Sequence, residues 1–177
     1  MRTPRALAGS GAPLLLVTGL FGSMPSWLYT DLIRDFAQHY QVHAFTDGRP
    51  VFRRDVETAA AFLSLRKLKI VCHSSLDTDT LTSPIIHSAT LIDPVTLPTR
   101  QFQPRHVLVT CPTNVLIAGR STDTFVPRQF RHLLYPESLI TYDHRDDIGH
   151  VDMLDDRWAD LAQRTGIVSC NDPRSRD

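Results

Sequence analysis

Ser74, Asp123 and His150 are the three side-chain types that acyl transfer by a hydroxyl nucleophile requires, and they occur in that order along the chain. A serine attacks a carbonyl carbon only when a base removes its proton, and imidazole, with an ordinary pKa of about 6.5, does this at neutral pH. A carboxylate behind the ring fixes its tautomer and stabilises the charged form. Ser74 lies in Cys72-His73-Ser74-Ser75-Leu76, directly after an apolar run, where a sharp strand-to-turn bend pushes a hydroxyl outward. Asp123 sits in the loop Gly119 to Pro127, and His150 in Gly149-His150-Val151-Asp152. A fourth segment, Thr18-Gly19-Leu20-Phe21-Gly22-Ser23, follows the first apolar run. Backbone N–H groups of Leu20 and Phe21, with that of Ser75, are candidates to hold a developing oxyanion.

Each feature taken singly has a plainer reading: a serine in a turn, an aspartate capping a helix, a solvated loop histidine. Their joint placement, each after a predicted strand and in one order, favours a shared site. A metal centre built from His144, Asp147 and His150 is a weaker reading, because one turn-rich stretch offers no established ligand spacing. Leu20, Phe21, Trp27 and Phe125 would line an apolar pocket or, more simply, pack in a core.

Elements of alternating type must position these residues. Leu14 to Val17 reads as a strand buried on both faces, and helical spacing of Leu28, Tyr29, Leu32, Ile33 and Phe36 predicts a helix from Pro25 to Gln38. Gln41 to Thr46 is a second strand, closed by a turn from Asp47 to Pro50. Asp55 is placed to cap a helix running to Leu63, and Leu68 to Cys72 is the strand that delivers Ser74. Ser88 to Ile92, Asn114 to Ala118 and Leu139 to Tyr142 complete the strands, and Leu154 to Ala162 reads as a closing helix. Strands alternating with helices imply a parallel sheet covered on both faces, with its site at the strands' carboxyl ends.

The 177 residues suit one domain, read as 13–168 after a loose leader, 1–12, and before a polar tail, 169–177. Lysine plus arginine equals aspartate plus glutamate, at 19 each, so no net field draws nucleic acid or anionic membrane. The apolar run Pro13 to Val17 is far shorter than the roughly 20 residues of a membrane helix. Cys72, Cys111 and Cys170 do not make a disulfide framework, which points to a reducing compartment, cytoplasmic or an organellar stroma. Nothing in the residues sets an oligomeric state.

From about Pro13 to Asp156 the chain resembles the chlorophyllase branch of the α/β-hydrolases. The resemblance is carried by Asp55-Val56-Glu57-Thr58-Ala59-Ala60-Ala61, by Leu91-Ile92-Asp93-Pro94-Val95 and by Gly149-His150-Val151-Asp152-Met153-Leu154-Asp155-Asp156. It implies a minimal α/β-hydrolase, a mostly parallel central sheet with helices on both faces and little or no lid. It also implies carboxylic ester hydrolysis on a small hydrophobic ester, with Ser74 as nucleophile, His150 as base and no metal or organic cofactor. In chlorophyllase-like proteins the acid is the aspartate of the Ile-Asp-Pro-Val segment, here Asp93. In the wider group with dienelactone hydrolases and cutinase-like polyesterases it lies on the next strand's loop, here Asp123, which is preferred because Gly119 to Pro127 resembles that loop.

Departures accompany the matches. The branch's elbow reads Gly-His-Ser-Arg-Gly-Gly, whereas Leu76 stands here in place of the second flanking glycine, and its first-strand motif begins His-Gly where this chain has Thr18-Gly19. The stretch from Ser74 to Asp93 leaves room for only a brief helix, interrupted by Pro84, and Asp77 and Asp79 oppose negative charge on a substrate oxygen. The alternative is therefore a catalytically impaired protein of this fold that serves as a binding or interaction module.

Overall fold

The structure, a computed structural model, describes residues 2–17, 29–47, 49, 51–76, 78–96, 107–120 and 134–149. The first strands are β1 (Arg5–Ala8), β2 (Ala12–Val17) and β3 (Tyr40–Ala44), with helix α1 (Thr30–Ala37) between the last two. Helix α2 (Arg53–Phe62) then leads to β4 (Leu68–Leu76). The remaining strands are β5 (Ile86–Thr96), β6 (Val107–Leu108), β7 (Thr113–Ala118), β8 (Leu134–Tyr135) and β9 (Ile140–Arg145). Seven strands form the main sheet in the order β1-β3-β2-β4-β5-β7-β9, and β6 pairs with β8 in a separate two-stranded sheet. Every pairing in the main sheet is parallel except β1 with β3.

Alternation along the strands divides the core in two. Leu15, Val17, Ile70, Cys72, Leu91 and Val115 face α2, whose Val56, Ala59 and Ala60 are fully buried against them. Leu14, Leu16, Val71, Ile92 and Leu116 face the other way, onto Tyr29, Leu32 and Phe36 of the α1 segment. The unbroken apolar run of β2 follows from this: a central strand with a helix on each side has no polar face.

Several local features differ from the expectations. Residues 5–8, within the stretch read as a loose leader, form β1; it is exposed and carries little apolar pattern, so only its pairing with β3 defines it. A left-handed Gly9, at φ 81°, makes the return into β2. Asp55 is not the residue that begins α2. The helix starts after Phe52, and Asp55 reaches back from the third helical position to accept the Phe52 N–H at 3.0 Å. The same carboxylate takes Arg2 at 3.1 Å, while Arg2 also pairs with Asp47 and lies 4.4 Å over the Phe45 ring. Finally, β4 and β5 run several residues past the ends their apolar runs suggest, with consequences for the site. The expected closing helix Leu154 to Ala162 and the polar tail lie outside the described residues, as does the expected start of α1 at Pro25.

Candidate active site

The centre of the sheet decides where chemistry can happen. Strand β4 is the middle of the seven, and it ends on the same rim as β2, β5, β7 and β9 because all of these run parallel. Near that rim Ser74 has φ 65°, a left-handed backbone in a residue with a side chain. Such a conformation costs about 1–2 kcal/mol and persists only where the surroundings impose it. The cause is visible in the pairing: His73 faces Ile92 and Ser75 faces Val95, so Ser74 alone opposes Asp93 and Pro94. This two-against-one bulge breaks the pleat at the serine. Asp93, on the other side of the bulge, is itself left-handed at φ 39°. A residue before proline favours extended backbone, so Asp93 departs from two preferences at once.

Beyond the bulge the ladder resumes, pairing Ser75 with Val95 and Leu76 with Thr96. A single 3₁₀ segment, Thr78–Thr82, then stands where a brief helix was expected. The apolar Leu76 in place of a glycine is consistent with this, since its backbone stays in a strand instead of turning into a helix.

Below the serine, alternation sends Cys72 and His73 to opposite faces. His73 is fully buried, and its Nδ1 lies 3.1 Å from the Tyr29 hydroxyl with the two rings edge to face, 5.7 Å between centroids. This contact was not foreseen from the sequence; a histidine beside a serine gives no hint of which face it takes until the strand register is known. Burial, together with the nearby Cys111 thiol, pushes the Cys72 thiol well up, so it stays protonated and is no nucleophile.

Asp93 is buried, and its Oδ1 accepts the Ala118 N–H at 3.1 Å, which joins the end of β5 to the end of β7. The next two amides continue across the rim: Gly119 N–H donates to the Arg145 carbonyl at 2.7 Å and Arg120 N–H to the Ile148 carbonyl at 3.0 Å. A Cβ at Gly119 would collide with the Asp146 backbone, so only glycine allows the two loops this approach. Ile148 is buried in the α1-side core and is followed by Gly149.

Of the residues singled out from sequence, the structure therefore sets Ser74 and Asp93 side by side on adjacent strands. Asp123, His150, Leu20, Phe21, Trp27 and Phe125 lie outside the described residues, and for Ser75 only the backbone is described. His144 pairs with Asp146 at 2.9 Å on the exposed end of β9. Among the described residues no group of three or more His, Cys, Asp and Glu side chains could hold a metal ion, and no helix is long and apolar enough to cross a membrane.

A central, mostly parallel sheet with an antiparallel strand on one edge and helices on both faces is a doubly covered α/β architecture, and its likeness to solved structures shows it to be the α/β-hydrolase fold. Solved structures of that fold superpose on nearly all of it. A membrane phospholipase A, a bacterial virulence factor, matches with a TM-score of 0.69 at 16% identity, over 96% of this chain and 86% of its own. A naproxen esterase from Bacillus subtilis matches with a TM-score of 0.65 at 15% identity, over 90% and 85%. An esterase from a marine microorganism matches with a TM-score of 0.67 at 11% identity, over 95% and 100%. No family model matches the sequence, and no curated protein matches it. At such identities the likeness is one of fold, and function has to be argued from the site.

Proposed function

We propose that this protein is a serine hydrolase of the carboxylic ester type, chlorophyllase-like in its sequence motifs, acting on a small hydrophobic ester. The observation that carries the proposal is the left-handed Ser74 near the carboxyl end of the central strand, two residues before its last. In this fold a nucleophilic serine projects its hydroxyl from a strained backbone beyond a central strand, and the strain at Ser74 supports that role. Esterases and a phospholipase among the structural neighbours support the same reaction class. In this reading Ser74 Oγ bonds to the ester carbonyl carbon as His150 takes its proton. The tetrahedral oxyanion is held by the N–H groups of Leu20, Phe21 and Ser75. Collapse expels the alcohol with the proton from His150, and water, deprotonated by the same ring, releases the acid. Asp123 orients the imidazole, and Trp27 and Phe125 line the acyl pocket. No cofactor takes part, and a reducing compartment is proposed for the chain.

The test is labelling with a fluorophosphonate, followed by turnover of p-nitrophenyl esters of increasing chain length. Wild-type protein is expected to label and to prefer the longer esters, and Ser74→Ala to do neither while remaining folded. A second expectation separates the two acids: Asp123→Asn should lower kcat by about 10³-fold or more, in line with the loss of an orienting carboxylate, and Asp93→Asn by far less. The reverse ranking transfers the role to Asp93.

One observation favours a second reading, a catalytically silent protein of this fold that binds a ligand or partner. The ladder beyond Ser74 leaves no full helix behind the serine to direct a dipole at the oxyanion. Folded wild-type protein that takes up no fluorophosphonate supports this reading over the first.

A further inference from the structure

Asp93 is drawn into a network that spans the rim. Its backbone lies opposite Ser74 across the β4–β5 bulge, and its carboxylate accepts the Ala118 amide at the last residue of β7. From there the Gly119 and Arg120 amides bind the carbonyls of Arg145 and Ile148, so hydrogen bonds run from the Asp93 carboxylate, across the end of β7, to the segment that precedes His150. The loop that contains Asp123 begins at Gly119. A buried carboxylate that spends an oxygen on a backbone amide of a neighbouring strand acts as a spacer between strand ends. Its backbone is left-handed and a proline follows it.

We infer that Asp93 is a positioning residue, one that fixes the end of β7, and with it the start of the acid loop, relative to Ser74. This rests on the serine-hydrolase reading, and it gives the second candidate acid a different task. The Ala118 amide needs an acceptor oxygen at this place, and an uncharged side-chain carbonyl can supply one. Asparagine keeps the acceptor and tolerates left-handed backbone, whereas glycine removes the acceptor without backbone cost.

The experiment compares Asp93→Asn and Asp93→Gly with wild type in p-nitrophenyl ester kinetics, and follows the Ala118 amide by hydrogen exchange. Asp93→Asn is expected to keep kcat within about threefold and to leave the Ala118 amide protected. Asp93→Gly is expected to lower kcat by about 10- to 100-fold with KM little changed, the size of effect that a misplacement of about 1 Å produces, and to expose that amide. Asp93→Asn as inactive as Asp93→Gly, in folded protein, overturns the inference in favour of a catalytic acid. Unchanged protection of Ala118 in Asp93→Gly overturns it as well, because the spacer would then be absent. If wild-type protein neither labels nor turns over ester, the hydrolase reading falls and the positioning role falls with it; that outcome is told apart from the others by wild type alone.

Discussion

Ser74 is held in a backbone conformation that its side chain disfavours, and the strain is local enough to be relieved by one substitution. Removing the Cβ removes the clash that makes left-handed backbone costly, by about 1 kcal/mol, while it also removes the hydroxyl. Ser74→Gly is therefore expected to raise the urea midpoint of unfolding and to abolish fluorophosphonate labelling together. A lower midpoint would mean that the Ser74 side chain packs more than it strains. Ser64 offers an internal comparison. It is also left-handed, at φ 56°, but it ends α2, where the Leu65 amide reaches back to the Ala60 carbonyl in the ordinary helix-stop pattern. The serine types and their positions are readable from sequence. That one of them stops a helix and the other breaks a strand at the rim is settled by their neighbours in space.

At the scale of elements, the site depends on how strand ends are joined. The β4–β5 bulge places Ser74 against Asp93, and the close pass of Gly119 over Asp146 brings the loop after β7 against the turn after β9. Gly119→Ala forces that pass apart and is expected to cost about 1–3 kcal/mol in chemical denaturation, with a fall in ester turnover beyond what the remaining folded fraction explains. Unchanged stability would show that the two loops can separate freely. Helix α2 illustrates the partial legibility of such joints. Its apolar spacing and its acidic first turn are visible in the sequence, yet Asp55 works as the third helical residue, tied to Arg2, and a residue far back in the chain could not be foreseen there.

The whole molecule carries a pH dependence that one buried ring contributes to. His43 is 5% exposed in the sheet, and burial lowers its pKa below the ordinary 6.5. The folded state then binds the proton less readily than the unfolded chain. The stabilisation is complete above the unfolded value and is lost as pH falls below about 6.5, levelling once the folded value is passed. Melting temperature is expected to decline from pH 7.5 to pH 5.5, and His43→Gln to flatten that decline; an equal slope in both proteins would remove His43 as the cause. Asp47 acts lower on the scale. Burial would raise its carboxyl, but hydrogen bonds from Arg2 and Arg49 hold it down at about 2, so its contribution is full above 3.8 and fades as pH falls toward 2.

By itself the sequence determined the alternation of strands and helices, the doubly covered sheet and the rim on which Ser74 falls, because apolar periodicity is a local property that each segment displays independently of the rest. Tertiary structure alone decided that β1 joins the sheet, that β4 continues past the serine, and that Asp93 binds the amide of Ala118. Those outcomes turn on which backbone groups remain to be paired once the strands lie side by side, and no stretch of chain holds that information before it meets its neighbours.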